Sequence, residues 1–140
     1  MAASQDYKSK EPHMRFARLP VLLAIFLALS PALMADDKAV TLQGTLVDSK
    51  CYMMDNKLTG NDHGDIKKCG TLCLKGGSPG ALLTRDNHFY ALLAPSIALA
   101  PYVGQQIRVT GRVVSGSIDV DKAEISQNGQ WQPIKLGNMM

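Results

Sequence analysis

The chain has 140 residues, with 15 basic and 12 acidic side chains, a formal charge of +3 and an apolar fraction of 46%. This length holds one domain plus a processed segment, and so small a charge excess excludes a protein that gathers polyanions by bulk electrostatics. Three cysteines, an odd number, exclude a framework in which every thiol is paired within the chain.

Residues 1–35 read as a signal peptide. Arg15 and Arg18 precede the apolar run Leu19–Leu29, and Ala32-Leu-Met-Ala35 leads into Asp36-Asp37. That is the basic, apolar and small-residue order of a secretory leader. The run carries Pro20 and is followed by Ser30-Pro31, so it is too short to span a bilayer. Met14 begins a conventional leader by itself and is a second candidate start. The expected product is periplasmic or secreted, keeps no stable membrane span after cleavage, and comprises residues 36–140. Over that range eleven basic side chains face ten acidic ones with no basic block, so no nucleic-acid partner is expected.

The first strand is Val40–Val47, where Val40, Leu42, Gly44 and Leu46 alternate with Thr41, Gln43, Thr45 and Val47. Gly44 inside it predicts a bulge or tight bend. From Lys50 to Gly64 the residues are loop-forming. Asp65 is a candidate cap for a helix over Ile66–Lys75, with Ile66, Cys69, Leu72 and Cys73 in one stripe and Gly76-Gly77 as its C-terminal stop. Ala81–Thr84 and Phe89–Leu93 form a hairpin about the turn Arg85-Asp-Asn-His88. Residues 95–104 hold a short helix between prolines.

Gln106–Val114 then alternates Ile107, Val109, Gly111 and Val113. Ser115-Gly116 turns the chain into Ser117–Ile125. Asn128-Gly129 turns it again into Gln130–Ile134, where Pro133 marks an edge. The predicted fold class is mostly β: a small OB-fold-like five-stranded barrel with one short helix and a Cys/His-bearing insertion, residues 48–80, after the first strand. The predicted core is Leu42, Leu46, Leu82, Tyr90, Leu92, Ile107, Val109, Val113, Ile118, Val120 and Ile125.

The insertion gathers all three cysteines. On a helix Cys69 and Cys73 stand at i, i+4, with Cβ atoms roughly 5–6 Å apart. A disulfide needs about 3.5–4.5 Å, whereas a tetrahedral metal with metal–sulfur bonds near ~2.3 Å accepts the wider bite. Cys51 and His63 complete a candidate Cys₃His set, with zinc or copper as the ion. In zinc fingers comparable binding is worth ~10–16 kcal/mol. The alternative is a disulfide from Cys51 to Cys69 or Cys73 that leaves one buried thiol and gives ~3 kcal/mol. Met53 and Met54 beside Cys51 are candidate thioether ligands for copper or apolar cover for the insertion. Asp48 is a candidate loop cap or acceptor behind the ligands. His88, in a hairpin turn, reads as solvent-exposed.

The run Val47-Asp-Ser-Lys-Cys51-Tyr52, a later histidine, Cys69-x-x-x-Cys73-Leu-Lys-Gly-Gly-Ser-Pro79 and the strand hairpin after it resemble a group of small exported bacterial domains. Those domains share Asp-Ser-Lys-Cys, His-x-x-Cys-x-x-x-Cys and Gly-Gly-x-Pro. The resemblance covers most of residues 42–125 and implies an OB-like fold; it brings no activity. One position departs: the histidine that stands three before the first cysteine of the pair is Ile66 here, and His63 stands six before. Two functional classes follow from the residues. One is a non-enzymatic metal-binding module that meets a metal ion or an envelope partner. The other is a thiol–disulfide redox protein or disulfide-stapled binding module.

Overall fold

The computed structural model describes residues 38–137; the signal-peptide reading lies outside them. In chain order the elements are β1 (Val40–Asp48), α1 (Ser49–Met54), α2 (Cys69–Lys75), β2 (Gly80–Thr84), β3 (Phe89–Leu93), α3 (Ser96–Leu99), a 3-10 turn (Ala100–Tyr102), β4 (Gln106–Val114), β5 (Ser117–Gln127) and β6 (Gln130–Ile134). The strands lie in the order β3-β2-β1-β4-β5-β6. Every neighbouring pair is antiparallel, and β3 also pairs in parallel with β5 through Ala91–Leu93 and Ser117–Asp119. That last pairing closes five strands into a ring and leaves β6 outside it, on the far edge of β5.

Local chemistry explains the turns. Ser115-Gly116 and Asn128-Gly129 both take positive φ at two consecutive residues, 49° and 78°, then 51° and 75°. This is the hairpin geometry whose twist matches the flanking strands. Pro133 sits opposite Glu124 on β6, which pairs only with β5, so its missing N–H costs no ladder bond. Arg108 on β4 donates to Glu124 on β5 at 2.7 Å and lies 4.7 Å from the Trp131 ring centroid on β6, tying the edge to the ring.

The core is one cluster that includes Leu46, Leu82, Leu92, Ile107, Val109, Ile118, Val120 and Ile125, with Leu42 and Tyr90 packed against it. Each fully buried aliphatic side chain contributes about 1.5–3 kcal/mol. Val113 is a correction: it is in phase with this face yet 46% exposed. The register shift between Thr110 and Gly111 leaves Asp121 unopposed, and past it Val113 lies next to the strand end at Val114 while its partner Ile118 stays fully buried. Gly44 carries no register shift of its own. It serves a close approach instead, since a Cβ there would fall 2.2 Å from the carbonyl oxygen of Leu83.

The insertion between β1 and β2 is also corrected. Residues 49–54 are helical rather than loop, because Asp48 accepts from the Lys50 amide and caps the segment. The second helix begins at Cys69, not Ile66, and Asp65 does not cap it: Lys68 at φ 55° is the residue before it. Ile66 instead makes a bridge with His63, and Ile66 and Leu72 are 59% and 60% exposed. The inward face of α2 is Gly70 and Leu74 rather than the expected stripe, with Leu74 fully buried in the core cluster. Among the described residues no helix is long and apolar enough to cross a membrane.

Candidate metal centre

The neck of the insertion is closed by the strand pairing of Asp48 with Gly80 and by the Ser49 amide donating to the Pro79 carbonyl at 3.1 Å. From this neck α1 carries Cys51 outward, and Tyr52 beside it stacks on Phe89 of β3 at 5.4 Å between centroids. α2 is held by different means. Asn61 supplies the acceptors for its first turn: its carbonyl takes the Gly70 amide at 3.0 Å, and its side-chain oxygen takes the Thr71 amide at 2.8 Å. The Thr71 hydroxyl lies within bonding distance of both Asn61 Oδ1 and the Ala100 carbonyl, linking α2 to the 3-10 turn. Gly70 lets the two come together, because a Cβ there would lie 2.5 Å from Val103 Cγ1.

Between these two helices the sulfur atoms of Cys51, Cys69 and Cys73 all lie within 4.8 Å of one another. All three thiols are free and half-buried. None of the three is joined in an S–S bond of about 2.05 Å, and an outer limit of 4.8 Å is close to the span that two metal–sulfur bonds of about 2.3 Å can bridge. Three thiols from two short helices thus form a group that could hold one ion.

Asp48 stands behind them. It is fully buried; its Oδ1 accepts from the Lys50 amide and from the Ser78 hydroxyl, while Oδ2 has no N–H or O–H donor. Burial pushes this carboxyl up, but the Cys51 thiol, Ser78, the Cys73 thiol and the Lys50 amide together outweigh burial and hold it below its usual value. The same contacts act in reverse on sulfur. Burial first, then Asp48, then the neighbouring thiols push the Cys51 thiol far up, and burial and Asp48 also raise Cys73.

The remaining predicted site residues fall outside this group. His63 is buried, with Nε2 at 3.1 Å from the Gly60 carbonyl and Nδ1 without a partner, and it does not join the three sulfurs. Met53 and Met54 are 71% and 76% exposed, so they do not cover the insertion. His88 is exposed and pairs with Asp86 at 3.4 Å.

A cleft of about 450 Å³, lined by Lys50, Cys73, Gly76, Gly77, Ser78 and Pro79, opens beside Cys73. A larger polar groove of about 680 Å³ lies elsewhere, between β1 and the β2–β3 turn, with Thr45, Arg85 and Gln106 on its walls. No cysteine or histidine lines it, whereas Cys73 lines the smaller cleft. Comparison of the chain with known protein families, with characterised proteins and with solved structures gave no match.

Proposed function

We propose that this chain is a small exported module whose Cys51, Cys69 and Cys73 thiolates hold one zinc or copper ion, with binding rather than catalysis as its task. The observation that carries the reading is the convergence of three free sulfurs within 4.8 Å from two separately anchored helices. A stapling disulfide needs two cysteines; a third at the same point is what a soft ion uses. The OB-like reading is supported by the ring order β1-β2-β3-β5-β4 and by the helical segment between β3 and β4.

A thiol–disulfide redox role is the second reading, since the same sulfurs are near one another. The electrostatics does not choose between the two, because burial with Asp48 favours protonated sulfur at Cys51 and Cys73 while nucleophile and metal ligand alike are thiolates. The third free sulfur at the same point is what favours the ion. Titration of the reduced protein with Co(II) tests the choice. The metal reading expects thiolate-to-metal charge-transfer absorption that saturates near one equivalent and is displaced by zinc. Absence of that absorption, with a disulfide forming between two of the cysteines under mild oxidation, would replace it with the redox reading.

A further inference from the structure

Three sulfurs leave a four-coordinate ion one position short, and among the described residues no further histidine, cysteine or carboxylate joins the group. We propose that this fourth position is open to a ligand from outside the chain: a small thiol with an anionic tail, which enters by the cleft beside Cys73 and meets the ammonium of Lys50 there. This rests on the metal reading above, with zinc as the ion, and deepens it.

The cleft comes first. Cys73 is common to the sulfur group and to the cleft wall, so a space of about 450 Å³ borders one of the three ligands. A water molecule takes about 30 Å³ of liquid, so the space admits a ligand of several heavy atoms. Much of the wall is bare. Gly76 and Gly77 bring no side chain, and Gly77 holds φ at 95°, a conformation strained for any L side chain. The backbone itself keeps that wall open.

The wall carries one free charge. The Gly76, Gly77 and Ser78 amides donate to the carbonyls of Leu72, Leu74 and Cys73 at 2.9, 3.1 and 3.0 Å, and the Ser78 hydroxyl donates to Asp48. Pro79 has no N–H. Lys50 uses its backbone amide on Asp48, but its ammonium has no partner among the described residues. The cleft therefore offers a visitor a positive charge and little else.

The ion selects the other end of the ligand. Structural zinc sites are closed by four protein ligands, whereas a site with three keeps its fourth position for water or an exchanging ligand. Beside three thiolates on a soft-tolerant ion, a fourth sulfur is a matched donor. The incoming thiol gives its proton to solvent and its sulfur takes the place of a water molecule. The centre goes from −1 to −2, the charge of a four-thiolate zinc site. Lys50 offsets that charge and holds the anionic tail.

The experiment adds one of two thiols to the zinc- or Co(II)-loaded protein, kept reduced with a phosphine. Mercaptoethanol is neutral; mercaptoethanesulfonate carries an anionic tail that is a poor metal ligand. X-ray absorption on zinc is expected to change from three sulfurs and one lighter donor to four sulfurs, and thiolate-to-Co(II) charge transfer is expected to rise. The sulfonate thiol is expected to bind about two- to fivefold more tightly at low salt, the range of an exposed ion pair, and to lose that advantage as salt is raised. Lys50→Gln should erase the preference and Lys50→Arg keep it. Spectra that neither thiol moves, or thiols that only strip the ion, would overturn the proposal while leaving the three-thiolate site standing. Equal binding of the two thiols, or a preference that survives in Lys50→Gln, would overturn it as well. A failure of the unmodified protein to bind zinc or Co(II) would remove both readings.

Discussion

At the residue scale the three cysteines are not equivalent in position but are equivalent in consequence. Cys51 hangs from a capped two-turn helix, while Cys69 and Cys73 share the face of α2 next to the one that packs inward. Under the proposed function, replacing any one of them with serine is expected to lower zinc or Co(II) affinity by more than the ~10–100-fold typical of supporting groups. Competition against a chelator of known affinity checks this for each variant. A serine variant that keeps full affinity would show that its sulfur is a bystander. A second residue-scale prediction concerns Glu124, whose carboxyl is held near about 2, against a usual 4.5, by the Arg108 guanidinium first and Lys122 second. Because the folded value is depressed, its stabilisation is complete above about 4.5 and is lost as pH falls through about 2. Glu124→Gln should therefore lower Tm at pH 7 and converge with the parent in melts near pH 2. A constant Tm gap across that range would contradict the ion-pair account.

At the element scale the insertion stands on two supports, Leu74 in the core and the Asn61–Thr71–Ala100 bonds at the start of α2. Leu74→Ala is expected to cost about 2–5 kcal/mol in denaturant melts. Thr71→Val should cost about 1–3 kcal/mol, since it strips a donor from partly buried acceptors. Both should weaken metal binding as well, because α2 delivers two of the three sulfurs; unchanged affinity in a destabilised Leu74→Ala protein would mean that the site assembles without the core. These elements also mark how far the sequence could be read. The strands were legible because alternation of Val, Ile and Leu states which face is inward, and Asn128-Gly129 states where the chain turns. α1 was not, although Asp48 followed by six residues free of Gly and Pro was an available cap signal. The stripe on α2 was misplaced for a physical reason. Ile66 and Leu72 are more apolar than Gly70, yet only a glycine fits 2.5 Å from Val103, so close backbone approach overrode hydrophobic periodicity. Ser78 reaching back to Asp48 across thirty residues leaves no local trace in sequence.

At the scale of the whole molecule, the core cluster holds no cysteine, and the insertion, with its two short helices, contributes Leu74 to it. An ion held by the three sulfurs would clamp α1 to α2 and raise the apparent stability of the protein by mass action. At a free metal concentration of 100 times Kd the gain is about 2.7 kcal/mol, which for a domain near 100 residues moves Tm by roughly 10–20 °C. The cysteine-to-serine variants should show little of this rise. The basic, apolar and small-residue order of residues 1–35 predicts export, so N-terminal sequencing of protein from an intact envelope should find Asp36 first; a chain still beginning at Met1 or Met14 would contradict cleavage after Ala35. The central claim is that three sulfurs share one ion in the protein as it is made. It is tested most directly by elemental analysis with thiol counting on protein purified without chelator. The account predicts about one zinc or copper per chain, with all three thiols unreactive until the metal is stripped; no metal, one reactive thiol and a disulfide involving Cys51 would contradict it.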